Sequence, residues 1–181
     1  YGNKALFNQV SMSAANINYT ALEGSDIIII DGLTELDLNL AQRVQSLNNR
    51  GVTVLIIPST TPDITSYQQL ASRIRESGAQ DGKVALEIPD FNRPFYKNIL
   101  ERKESNLRMP EAKPVWSLGG DRNALLKFID GQPFLSEISQ GFYVMASPLD
   151  MEFSDFQNNA LFVPIMYRIA ANSKQNIDPL Y

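Results

Sequence analysis

Ser25-Asp26-Ile27-Ile28-Ile29-Ile30-Asp31-Gly32 is the stretch that decides the fold of this chain. Four β-branched residues in a row, bounded by Asp and Gly, predict a strand buried on both faces. Thr34 and Asp37 follow as a capping-box-like helix start. Leu36, Leu40, Val44 and Leu47 then recur at helical spacing and give the helix one apolar face. Asn48-Asn49-Arg50-Gly51 closes it, with Gly51 placed as a left-handed cap. Val52-Thr53-Val54-Leu55-Ile56-Ile57 reads as a second buried strand, stopped by Pro58. Strand, helix and strand at this spacing predict a right-handed βαβ unit with parallel strands.

Outward from that unit, Ser59-Thr60-Thr61-Pro62-Asp63 is a polar loop at the carboxyl end of the second strand. Residues 65–77 are expected to be helical, with Tyr67, Leu70, Ala71 and Ile74 on one side and Gly78 as the stop. Val84, Leu86 and Ile88 alternate as in a half-buried strand. Residues 89–114 are polar and broken by prolines, a surface excursion with Phe91, Phe95, Tyr96 and Ile99 tucked beneath. Residues 115–118, 124–129, 133–138 and 142–147 read as short strands, with turns at Asp130-Gly131 and Gln140-Gly141. Residues 160–171 form an apolar closing helix with Pro164 near its first turn. The expected class is therefore α/β: a three-layer α/β/α arrangement with a mostly parallel central sheet and antiparallel strands near the C-terminal end.

Composition narrows function more than any motif. The 181 residues contain no histidine and no cysteine. A Ser-His-Asp triad, a Cys-His dyad and a zinc or iron–sulfur site built from this chain alone are thereby excluded. The apolar fraction of 44% and charged fraction of 20% fit a soluble fold. A chain this long buries roughly 70% of its unfolded surface and needs no disulfide or metal for stability. The net charge of −4 argues against a nucleic-acid backbone as partner, and the one dense basic stretch, within residues 102–108, is interrupted by Glu104. No run reaches the ~20 apolar residues that span a bilayer. The length suits one domain over residues 1–181. The chain opens on Tyr1, in what reads as a helix over residues 4–9, and is expected to be a fragment of a longer protein.

The two hydrophobic runs carry a family resemblance. Residues 25–30, a helix, then Asn49-Arg50-Gly51-Val52-Thr53-Val54-Leu55-Ile56-Ile57-Pro58 resemble the class I glutamine amidotransferase-like fold, a flavodoxin-like layered sheet, and look closest to its ThuA-like branch. Gln140-Gly141-Phe142-Tyr143-Val144-Met145-Ala146-Ser147-Pro148 is similar to the late strand that precedes the closing helix of such domains. Pro133-Phe134-Leu135, Ser147-Pro148-Leu149 and Ala160-Leu161-Phe162-Val163-Pro164-Ile165-Met166-Tyr167 resemble the extracytoplasmic domain of bacterial BatA-type (aerotolerance-related) membrane proteins. Active amidotransferases place a cysteine on a sharp strand-to-helix turn and a histidine later in the chain. This chain has neither, so no catalytic residue carries over.

Several residue groups are weighed as sites. Asp31, Ser59 and Thr60 stand where ligands bind in open parallel sheets, outside the carboxyl ends of the strands. They read either as a small polar pocket or, preferred here, as a turn at Asp31-Gly32 with Ser59 and Thr61 capping the next helix. Gly119-Gly120-Asp121-Arg122 is either a phosphate-contacting turn or, preferred, a plain loop without G-x-G-x-x-G spacing. Asp150, Glu152 and Asp155 either gather a hard cation or, preferred, meet the positive end of a helix. Asn18-Tyr19-Thr20 matches the glycosylation sequon, a pattern that also arises by chance. Phe91, Phe95, Tyr96 and Trp116 form either a partner-binding patch or, preferred, a satellite core under the long loop.

Together these readings predict a non-catalytic interaction or scaffold domain of a membrane-anchored bacterial envelope protein. It is expected to use no cofactor and no metal. Its expected partners are other proteins or other domains of the same chain, and not nucleic acid. Membrane association would come through segments outside residues 1–181. The resemblance implies a periplasmic domain of an inner-membrane protein, with a cytoplasmic protein as the alternative. The alternative function is a small-ligand-binding domain or hydrolase using Asp31, Ser59 and Thr60.

Overall fold

The computed structural model describes residues 8–78, 81–97, 108–119 and 123–175. In chain order the elements are α1 (Tyr19–Glu23), β1 (Ile27–Asp31), α2 (Leu38–Asn49), β2 (Thr53–Ile57), α3 (Ile64–Gln68), β3 (Ile74–Glu76), β4 (Val84–Ala85), β5 (Glu111–Ala112), β6 (Trp116–Leu118), β7 (Ala124–Lys127), β8 (Pro133–Ser139), β9 (Phe142–Met145) and α4 (Phe162–Gln175). The expected helix over residues 4–9 falls mostly outside the described residues, and Asn8 and Gln9 are irregular. Ile99, most of the basic stretch and Gly120, Asp121 and Arg122 also lie outside them.

The fold is mixed α/β. A five-stranded sheet runs β1-β2-β9-β8-β7, with β1, β2 and β9 parallel. β8 pairs antiparallel with both β9 and β7. The register between the first two strands is regular from Ile27↔Thr53 to Asp31↔Ile57. β2 is the most enclosed strand, with all five residues buried, because β1 and β9 flank it and both α2 and α4 pack against it. Its Val, Leu and Ile side chains suit a strand with no solvated face.

β1 differs from expectation. It is an edge strand: Ile28 and Ile30 are buried, whereas Ile29 is 49% exposed. Four isoleucines read alike in sequence, but Ile27, Ile29 and Asp31 share the less covered face of β1, and no other described strand lies outside it.

α2 forms much as expected. Leu40, Ala41, Val44 and Leu47 are its buried face. Its cap is Asp37 and not Thr34: the Asp37 carboxylate accepts from Asn39 N and Leu40 N at 2.9 and 3.2 Å. Gly51 takes φ +97° just past the helix, in the left-handed region that glycine tolerates.

The predicted helix over residues 65–77 is overturned after one turn. α3 stops at Gln68, and Ile74–Glu76 instead pairs antiparallel with β6. Tyr67, Leu70, Ala71 and Ile74 are all buried as expected. The burial pattern was legible, but a turn and a strand satisfy it as well as a helix does. Consequently β6 belongs to this small side pair and not to the main sheet.

The predicted strand through Ile88 shortens to Val84–Ala85, paired with β5; Leu86 bridges to Phe128, and Ile88 is exposed. β7, β8 and β9 follow the expected hairpins, with Gly131 and Gly141 at φ +84° and +67° in the turns.

The aromatic group divides in two. Tyr96 is buried between Phe91 and Phe95, edge-to-face at 5.6 and 5.2 Å, and donates to Leu125 O at 2.5 Å. Trp116 lies in a separate contact with Tyr67 at 5.0 Å and donates from Nε1 to Met145 O at 2.8 Å. Tyr96 and Trp116 belong to the main core, with Phe91 and Phe95 packed against it, and not to a separate satellite as the sequence reading expects. A further chain of rings, Phe128–Phe134–Phe156–Phe162, links the β7–β8 hairpin to α4 at centroid distances of 5.6, 5.2 and 5.4 Å.

Candidate functional site

The parallel register places Asp31 at the carboxyl end of β1, beside Ile57 at the end of β2, with Ser59 and Thr60 just beyond. The three candidates therefore share one rim of the sheet, as the βαβ reading requires. Neither Asp31 nor Ser59 lines the groove that Thr60 lines.

Asp31 is exposed on the rim, and partial desolvation there raises its carboxyl above the usual value of 3.8. Ser59 is buried, and its Oγ has no hydrogen-bond partner among the described residues. Thr60 is exposed. It lines an open groove of about 490 Å³ with Thr61, Ser77, Lys113 and Phe153. That groove shares Ser77, Gly78 and Pro114 with a second depression of about 350 Å³, which extends to Asp130 and Gln132.

The expected capping role of Ser59 and Thr61 is not observed. Asp63 caps α3, its carboxylate accepting from Thr65 N at 3.1 Å. Asp31-Gly32 does form the predicted turn, with Gly32 at φ +70°.

The loops above the rim are tied to each other. Tyr67 Oη donates to Leu33 O at 2.7 Å, Leu36 N donates to Ser66 Oγ at 3.0 Å, and Asp63 N donates to Thr34 O at 2.7 Å. Ser66 Oγ in turn donates to Asp63 O at 2.8 Å. Burial pushes the Tyr67 phenol up to about 12, so it remains a neutral donor. These bonds staple the β1–α2 loop onto the start of α3.

Sequence reasoning missed this staple because Tyr67 looked like one more apolar residue on a helix face. It also missed Lys113, which reaches the Thr60 groove from a distant part of the chain and carries no local signal.

The other candidates settle into structural roles. Asp150 accepts from Glu152 N at 2.8 Å, and Asp155 accepts from Glu111 N at 2.7 Å. They stand ahead of the 3-10 turn Phe156–Asn158 and not at the start of α4. No group of three or more acidic side chains among the described residues could hold a metal ion. Asn18 caps α1, accepting from Ala21 N at 3.1 Å. No described helix is long and apolar enough to cross a membrane.

Chemically, the candidate residues offer one exposed carboxylate, one buried hydroxyl and one exposed hydroxyl. Nucleophilic catalysis needs a base within hydrogen-bond reach of the nucleophile, and Ser59 Oγ has no such partner among the described residues. Comparison with family models, with curated proteins and with solved structures finds no match.

Proposed function

We propose that this chain is a non-catalytic interaction or scaffold domain of a membrane-anchored bacterial envelope protein. It would share the three-layer, amidotransferase-like architecture and the BatA-type context that its sequence resembles, with α2 and α4 on opposite sides of the sheet. The membrane connection and the periplasmic setting would come from segments beyond residues 1–181. The observation that carries this reading is the stapled rim, where three hydrogen bonds tie the loop after Asp31 to the residues at the start of α3. The lack of any histidine or cysteine in the chain supports it. An assay of the purified chain for esterase, amidase and sugar hydrolase activity tests it. No turnover above background is expected. Robust turnover that disappears in Asp31→Asn overturns it.

A second reading, a small-ligand-binding domain, is favoured by one observation: the groove that gathers Thr60, Thr61, Ser77 and Lys113. Hydroxyls beside an ammonium suit a carboxylate- or phosphate-bearing ligand. Thermal-shift titration with small carboxylates and inorganic phosphate tests it. A saturable shift lost in Lys113→Ala supports it, and silence at millimolar ligand removes it.

A further inference from the structure

β1 is the outermost strand of the five-stranded sheet, and two hydrogen bonds fix the direction of its backbone groups. Thr53 N donates to Asp26 O at 3.0 Å, and Gly32 N donates to Ile57 O at 3.1 Å. A parallel ladder uses every second residue of a strand towards one neighbour. Asp26, Ile28, Ile30 and Gly32 therefore face β2, and the N–H and C=O groups of Ile27, Ile29 and Asp31 face outward. No other described strand pairs with β1.

Native sheets blunt such edges with lysines, prolines, bulges or covering loops. β1 has an unbroken register, no proline and no basic residue, and its midpoint is the half-exposed Ile29. Its charges stand only at the two ends, where Asp26 and Asp31 are both exposed.

We infer that the outer edge of β1, which pairs with no other described strand, receives an extended segment of a partner protein, with apolar residues beside Ile29 and a lysine or arginine at each end to meet Asp26 and Asp31. This rests on the interaction reading and names where and with what chemistry the contact is made. Main-chain bonds supply the attachment in strand addition, and side chains supply the selection. The acidic ends make that selection. If a second copy of this chain docked antiparallel about Ile29, Ile27 would lie opposite Asp31. Asp26 would lie opposite Gly32 in the same way, so neither carboxylate would meet a basic residue in a second copy. A basic-flanked strand meets the same two carboxylates favourably.

The test is an NMR titration and amide-exchange measurement on the full chain. The probe is a capped hexapeptide of alternating valine and threonine with lysine at each end. Expected are shifts concentrated at residues 26–32, slowed exchange of the Ile29 and Asp31 amides, and affinity that falls with added salt. A glutamate-flanked peptide is expected to bind roughly tenfold or more weakly. A backbone-N-methylated peptide is expected not to bind, and that control needs no change to the protein. Ile29→Pro removes an outward N–H without touching the ladder to β2 and is expected to abolish binding.

The proposal fails if no shifts appear at residues 26–32, if the N-methylated or glutamate-flanked peptide binds as well, or if the chain self-associates through the same amides. Such a failure without enzymatic turnover removes this edge and leaves the interaction reading standing. Turnover dependent on Asp31 removes that reading whatever the peptide does.

Discussion

Tyr67 shows how one hydroxyl ties two loops. Its ring packs on Trp116 while its oxygen holds Leu33 O, so Tyr67→Phe keeps the packing and loses only the staple. Urea denaturation is expected to show a loss of about 1 kcal/mol, within the usual range for a buried hydrogen bond. Thr53 poses the opposite case. Its Oγ1 is fully buried with no partner among the described residues. Thr53→Val is expected to stabilise by up to ~1 kcal/mol, since it removes a desolvated hydroxyl at nearly constant volume. Asp31 carries a sign that can be worked out. Desolvation raises its folded pKa above the unfolded value, so the folded state prefers the protonated form. Stability from this group is complete below the unfolded pKa and declines as pH rises through the raised one. Asp31→Asn is therefore expected to raise the melting temperature at pH 7 and not at pH 3, with a gain within the ~0.5 kcal/mol typical of surface changes.

At the scale of elements, α2 depends on its first turn. Asp37→Ala leaves Asn39 N and Leu40 N without their side-chain acceptor and is expected to cost about 1 kcal/mol by thermal or chemical denaturation. Thr34→Ala is expected to cost less, because Thr34 contributes only its carbonyl, to Asp63 N. The contrast marks what was legible in the sequence. The hydrophobic runs of β1 and β2, the apolar face of α2 and the Gly131 and Gly141 turns are local signals, and each element stands where those residues place it. The stop of α3 was not legible, because its cause is the distant β6 strand that captures Ile74. Position at the sheet edge was equally hidden, since Ile29 differs from Ile28 only in what lies beside it. The candidate rim was readable as a consequence of parallel pairing. The groove that joins Thr60 to Lys113 depends on contacts between remote parts of the chain.

For the whole molecule, three buried tyrosines set an alkaline limit. Burial, the largest cause in each case, raises Tyr67 and Tyr143 to about 12 and Tyr96 still higher. For Tyr143 the Glu137 carboxylate adds to the rise and Asn172 opposes it; for Tyr96 the Arg93 charge opposes it. Each folded pKa exceeds the unfolded value of 10, so their contribution is intact below pH 10 and is lost as pH climbs towards 12 and above. Circular dichroism across pH 8–12 is expected to show a cooperative loss of structure above pH 10, shifted to higher pH in Tyr67→Phe once its lower neutral stability is allowed for. The ring series through Phe134 is the other global dependence. Phe134→Ala breaks contacts on both sides of one ring and is expected to cost about 3–5 kcal/mol. That is a large share of the ~5–15 kcal/mol a domain commonly holds, so the variant is expected to be largely recovered in the insoluble fraction.

The strand order carries a consequence for how the polypeptide emerges from the ribosome. β2 finds its first neighbour in β1 almost at once, but its other flank waits for Phe142–Met145, made long afterwards. Until then a largely apolar ribbon lies bare on one side, and late closure of this kind slows folding and invites association of nascent chains. Versions truncated before Phe142 are thus expected to precipitate during expression, whereas coexpression of the missing C-terminal piece should return them to solution.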